Sequence, residues 1–354
     1  MEVTNTTKIQ YKKRFWAGVL LAQFLLFYAF SKLKIMIAFF EGFFEWQKKI
    51  HQLLFSWIPF SFGDLIYILL GIFLLYTLIL CFKKKSRKKA ILKLLMAINI
   101  FYFVYQICWG MLYFQTPVIK KLSSQKEPEM AKAKVLALLY LEKCKATRPS
   151  VREDKNGIFI ITDLNAVQNE ILRQQTQLPK YISGKEAPQI NAFKPSLFKS
   201  VMNFTGILGY YNPFTAEAQY NAELPHTLIP FTSAHESSHQ LGFAREQEAN
   251  FIGYLIGINS KNNDLRYSTE YFTLKSLLRF IVEEDPEFVK NILKEYSPAM
   301  KRDRMYERNF VFRHQGLLDD FFGFTNNLFL KSNQQEGAVT YSYFIDLLLN
   351  YEKP

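Results

Sequence analysis

The sequence predicts a mainly α-helical (α+β) protein: three N-terminal transmembrane helices followed by a helix-rich soluble domain with a small β-sheet. Three observations carry this. Long apolar runs crowd the first third of the 354 residues, the net charge is split unevenly along the chain, and beyond residue 114 the apolar residues recur at amphipathic spacing.

Whole-chain averages hide the division. A mean hydropathy of -0.05 with a net charge of +13 and a pI near 9.4 would suit a soluble nucleic-acid-binding protein. Residues 1–114, however, hold 15 Lys+Arg and 4 Asp+Glu, a net of +11, while the remaining 240 hold 29 and 27, a net of +2. Basicity confined to an apolar segment points to a lipid bilayer and excludes nucleic acid as the partner. The three cysteines, Cys81, Cys108 and Cys144, are too scattered for a disulfide framework or a Cys-rich metal site.

The first span is expected over about 15–38, with an uncertain outer end because Ser31, Lys32 and Lys34 interrupt the apolar run. Residues 39–59 mix aromatics with Glu45, Lys48 and Lys49 at helical spacing and read as a helix lying at the interface. The second span, 65–82, has no charge over 18 residues, close to the ~20 needed to cross the hydrocarbon. The third covers 94–114, with Asn99 and Gln106 its main polar groups. Basic residues precede the first span and fill the 83–89 loop, so both belong on the cytoplasmic side. An odd number of spans then places 115–354 outside the cytoplasm as a separate domain.

In that domain, 130–144 reads as amphipathic helix, 157–162 as a short strand and 165–177 as helix. The Pro- and Lys-containing stretch 178–199 reads as loop. Turns at Gly209 and Asn212-Pro213 precede residues suited to an extended strand ending near Tyr220, and the rest is mostly helix, including 303–314 and 339–351.

The chemistry concentrates in 230–255, which contains His235-Glu236-Ser237-Ser238-His239. On a helix the two histidines are one turn apart on one face and can converge on one zinc ion, with Glu236 beside them as general base. Gly242 sits where a C-cap would reverse the chain, and the next helix could return a carboxylate as third ligand. Glu246 is preferred over Glu248 because Glu246 and Asn250 share a face, with Asn250 in position to orient a ligand histidine, whereas Glu248 lies ~160° around from Asn250. Competing readings remain for each: Ser233 and Glu236 fit a capping box, and Glu246 fits a first-turn acid on a helix dipole. His226 and His314 read as structural. The strand near Tyr220 suits either a packed aromatic turn or the alignment of an extended peptide.

With Trp57 to Asp64 (WIPFSFGD), Tyr210 to Phe214 (YYNPF) and the run HESSHQLGFAREQEAN, the chain resembles an uncharacterised family of bacterial membrane proteins, common in Bacteroidetes, with a zincin-like domain. The resemblance covers nearly the whole chain. It implies a membrane-anchored zinc metallopeptidase of the bacterial inner membrane: Zn2+ on His235, His239 and Glu246, Glu236 as general base, and Asn250, Tyr220 and Glu248 as surrounding or substrate-binding residues. Asn250 stands where related zinc peptidases carry an acid. A peptide or protein is the expected substrate. A non-catalytic membrane sensor or scaffold and a zinc-dependent cell-wall amidase are the alternatives.

Overall fold

A computed structural model describes residues 2–122, 129–332 and 343–352. It is mainly helical, with one three-stranded sheet.

The apolar third begins with α1 (Glu2–Phe30), α2 (Lys34–Phe55), α3 (Phe62–Phe82) and α4 (Arg87–Cys108). Only α3 and α4 are each long and apolar enough to cross a bilayer; α1 and α2 reach that measure only as a pair, bent by 102°. The expected first span, 15–38, is thus not one straight helix, and two or, with the bent pair taken as one, three segments could cross. The helix stops at Phe30, where the Ser31 hydroxyl bonds the Tyr28 carbonyl and Leu33 turns to extended backbone. The charged interruption at Lys32 and Lys34 marks the break, because a lysine in mid-span would lose its hydration. The third helix likewise ends at Cys108 rather than 114, continuing as a 3-10 turn over Gly110–Phe114.

Both α3 and α4 present large side chains outward, Leu69, Ile72 and Leu75 among them. Asn99 of α4 is buried and donates to the Trp16 carbonyl of α1 at 3.1 Å. The second helix, α2, is two-faced. Phe40, Phe44, Gln47, Lys48 and Gln52 are buried, whereas Ile35, Phe39, Trp46 and Leu53 are exposed.

The rest is built from α5 (Met130–Thr147), α6 (Leu164–Gln175), α7 (Lys199–Thr205), α8 (Ile229–Gln240), α9 (Glu246–Ile258), α10 (Asn263–Ile281), α11 (Pro286–Lys294), α12 (Pro298–His314), α13 (Leu317–Ser332) and α14 (Tyr343–Tyr351). The expected strand at 157–162 is only an isolated bridge between Glu153 and Phe159. Residues 339–342 of the last expected helix lie outside the described residues.

The sheet comprises β1 (Phe193–Pro195), β2 (Gly209–Asn212) and β3 (Glu217–Tyr220), in the order β1-β3-β2. Strand β3 pairs parallel with β1 and antiparallel with β2, so it is central and β2 is an edge. The short β1 lies in the stretch read as loop, because three residues beside a proline leave no periodicity to detect. Along β3 all four residues are buried although Glu217 and Gln219 are polar. Alternation explains this. One face of the sheet, with Gly209, Tyr211, Ala218 and Tyr220, is the face toward α8. The other, with Lys194, Tyr210, Glu217 and Gln219, meets the start of α3.

That second contact is a dense polar joint. The Glu217 carboxylate accepts from the amides of Phe62 and Gly63 at 3.0 and 2.7 Å, filling unpaired donors of the first turn of α3. Asp64 accepts from the Leu197 amide at 2.7 Å and from the Tyr210 hydroxyl. Gln219 donates to Ser61 Oγ at 2.8 Å, and Lys194 donates to the Ser56 and Ile58 carbonyls. The apolar helices and the sheet are thereby joined through buried partners on both sides.

Candidate metal centre

Helix α8 begins after Leu228 with Pro230 in its first turn, where a missing amide proton costs nothing. Ser233 thus lies in mid-helix, which removes the capping-box reading of Ser233 and Glu236. The helix is buried almost all round. It ends at Gly242, whose φ of +92° is the left-handed conformation a glycine adopts freely. The Gly242 amide bonds the His239 carbonyl at 2.8 Å and the Phe243 amide the Ser238 carbonyl at 3.2 Å, reversing the chain into α9. A second glycine sets the spacing between the helices: a Cβ on Gly253 would stand 3.1 Å from the His235 backbone nitrogen.

This reversal brings His235, His239 and Glu246 together, with one potential ligand atom from each within 4.8 Å of the others. The His235 Nε2 is 3.3 Å and the His239 Nε2 3.7 Å from a Glu246 carboxylate oxygen. Both rings are oriented from behind. His235 Nδ1 lies 2.8 Å from Asn250 Oδ1, an acceptor, and His239 Nδ1 lies 2.6 Å from the Phe243 carbonyl, so each Nδ1 donates outward and each Nε2 is turned toward Glu246. Asn250 thus reaches His235 from α9. Glu248 is elsewhere: its carboxylate accepts from the Val118 amide at 2.9 Å and from Arg245 at 3.0 Å.

The charges are coupled. Burial lowers the His235 pKa, but the Glu246 hydrogen bond and the Glu236 and Glu246 charges outweigh it and raise it to about 9. His239 is pushed down to about 4, by burial and by the positive charge of His235 against the pull of Glu246. Burial would raise the Glu246 pKa, yet both histidines hold it down. Glu236, 4% exposed, is pushed up to about 8 by burial, with the Glu246 charge adding to it and His235 opposing it. Its Oε2 is buried with no hydrogen-bond partner among the described residues.

Residues 39–349 match the family described as Protein of unknown function (DUF3810). The chain belongs to this family. The match runs across the expected boundary at 114/115 and takes in most of α2, both apolar helices and His235, His239 and Glu246. No curated protein and no solved structure matched the chain.

Around the triad stand residues that sequence reasoning missed. Trp109 is edge-on to His239, ring centroids 5.8 Å apart, and packs on Tyr211 at 4.8 Å and Phe44 at 5.7 Å. Tyr113 hydrogen-bonds Trp109 and Tyr105. Arg245 donates to the Tyr113 and Gln115 carbonyls at 2.7 and 2.8 Å, and Gln115 to Gly242 at 3.0 Å, tying the turn after α8 to the end of α4. Gly209 is the closest backbone to Glu236: a Cβ there would lie 2.9 Å from the Glu236 Cγ and 2.7 Å from the Gln219 carbonyl. Apart from Arg245, which precedes Glu246, these residues lie between 24 (Tyr211 to His235) and 202 (Phe44 to Glu246) positions from the ligands, beyond any local motif. A glycine starting a strand and a tryptophan closing an apolar helix were the only signals.

Tyr220 is corrected as a substrate-pairing residue. It lies on the central strand with both neighbours in place, and it hydrogen-bonds Gln168. His226 accepts from the Ile161 amide at 2.8 Å, and His314 donates to the Phe310 carbonyl at 2.8 Å, both away from the triad.

Proposed function

We propose that the family member is a membrane-anchored zinc endopeptidase, with Zn2+ on His235, His239 and Glu246 and Glu236 as general base. The single observation that carries this is the convergence of two correctly oriented imidazole nitrogens on one carboxylate, beside a buried carboxylate oxygen with no partner. Two neutral imidazoles and a carboxylate are a donor set that suits zinc, and no thiol is near to close the site, since Cys144 is in the core of the helical domain. Zinc bound here would polarise a carbonyl and acidify a water.

The chain's own groups then do the rest. Glu236, held in a dry pocket, takes a proton from the attacking water and passes it to the departing amine. Glu246 neutralises the charge that the histidines face, and Asn250 and the Phe243 carbonyl keep the rings from turning. The outer edge of β2, which pairs with no strand among the described residues, is the proposed place for an extended substrate. The Leu208 carbonyl accepts from the Asn221 amide, so residues 208, 210 and 212 face β3 while the amide and carbonyl groups of Gly209 and Tyr211 point away from it.

The orientation of the chain follows from charge. The Lys83–Lys89 cluster joins α3 to α4 at the end remote from the sheet and the candidate centre, and the positive-inside bias supports a centre on the outer side.

Metal analysis and hydrolysis assays on the full chain test the proposal. One zinc per chain, lost in His235→Ala, is expected. Glu236→Gln is expected to keep the zinc and lose about 10²–10⁴-fold in peptide hydrolysis. A full-length protein that binds no zinc, or a Glu236→Gln variant with full activity, refutes the mechanism.

A further inference from the structure

We infer that the substrate is the membrane-flanking segment of another membrane-anchored protein, held as an extended chain within about 10 Å of the bilayer surface. This rests on the peptidase reading above and deepens it.

The argument is one of position. Trp109, against the ligand His239, is the first residue after α4. The start of α3, at the same end of the hairpin as Trp109, holds Tyr210 through Asp64, and Tyr210 neighbours Gly209, which abuts Glu236. The edge strand β2 lies lower still. The Tyr210 ring is 6.4 Å from Tyr67 of α3, and the Phe214 ring, just past β2, is 6.5 Å from Tyr67 and 5.4 Å from Phe101 of α4. Phe101 is seven residues before the end of α4, about 10 Å along the helix. The β2–β3 turn therefore sits alongside the spans, below the level of their ends.

Helix α2 closes the arrangement from beneath. It turns 102° from α1, Gln47 bonds the Cys108 carbonyl at 2.8 Å, and Phe44 touches both Trp109 and Tyr211. Its far face exposes Phe39, Trp46 and Leu53, side chains suited to the headgroup boundary. A chain that pairs with the outer edge of β2 must run between this surface and the domain. A polypeptide emerging from a neighbouring span is already at that height and already confined to the plane, which raises its effective concentration. A soluble protein would have to bring a loop down to the lipid.

The test uses the zinc-loaded full chain in vesicles of phosphatidylethanolamine and phosphatidylglycerol. The reporters are a single span followed by randomised tails of about 30 residues, up to about 100 Å when extended. The same tails are supplied as free peptides, and cut sites are mapped by mass spectrometry. Cuts concentrated in the ~10 residues nearest the span, about tenfold or more faster than in free tails, are expected. Even cutting along the tail, or equal cutting of free tails, overturns this inference and leaves the peptidase standing. No cutting of any tail by zinc-loaded protein overturns both. A nitroxide at Phe214→Cys supplies a readout independent of catalysis. Preferential relaxation by oxygen over an aqueous nickel chelate is expected, and an aqueous signature overturns the placement.

Discussion

Asn250 Oδ1 accepts the Nδ1 proton of His235 at 2.8 Å, so an uncharged amide fixes the orientation of an imidazole in the proposed zinc site. Removing that bond leaves the ring free to turn and the other tautomer open to it. Asn250→Ala is expected to weaken zinc binding by about 10–100-fold, measured by competition with a chelator of known affinity. Asn250→Asp, which keeps an acceptor in place, should retain binding. Undiminished affinity in the alanine variant would show that the bond orients nothing.

The two glutamates at the start of α9 have separate tasks. Glu246 faces the histidines and Glu248 holds the Val118 amide and Arg245. Zinc content measured on purified variants should separate them: Glu246→Ala loses the ion, while Glu248→Ala keeps it and unfolds more readily. Burying the Val118 amide without its acceptor costs about 1–3 kcal/mol. The reverse pattern of zinc content would exchange their roles.

Gly209 leaves room for the Glu236 side chain. A methyl group there would press on the Glu236 Cγ and on the Gln219 carbonyl, and the strand carbonyl cannot retreat. Gly209→Ala should therefore displace the base while sparing the three ligands. A loss of about 10²-fold in hydrolysis with unchanged zinc content is the expected result, in line with a misplacement of ~1 Å. Activity equal to that of the unmodified protein would argue against any role for this contact.

Far from the metal, Glu170 links α6 to the loop after α9 by accepting from Arg173, Gln174 and the Lys261 amide. Burial would raise its pKa, but those donors outweigh it and hold the group down to about 2. Because the folded value is below the ordinary carboxylate value, its contribution to stability is complete above about pH 4.5 and is lost as the pH falls toward 2. Thermal unfolding compared between pH 5 and 2.5 should show a steeper loss in the unmodified protein than in Glu170→Gln. Identical slopes would exclude the linkage.

The metal centre was legible in the sequence because its parts lie within sixteen residues, where helical periodicity and one glycine turn convert spacing into geometry. His235, Glu236, His239, Glu246 and Asn250 are set by that local rule. The sheet was less legible. β1 has three residues, and the buried polar face of β3 takes its meaning from Ser61 to Asp64, more than 150 positions earlier. The break between α1 and α2 was visible in Lys32 and Lys34, but an apolar run on both sides suggested a longer span. Trp109 and Gly209 act through tertiary contacts, for which the one-dimensional pattern has no sign.

The clamp of Glu217 on the first turn of α3 has a consequence for biosynthesis. The Gly63 amide is completed by a carboxylate 154 positions downstream. As the chain is synthesised, the α3–α4 hairpin is made with that turn still open, and the turn is completed only once residue 217 has been made and folded against it. The downstream part thus finishes the upstream one. A gene cut after residue 114 would release a downstream part whose Lys194 has lost the Ser56 and Ile58 carbonyls, and whose Glu217 and Gln219 keep only Thr215 and each other.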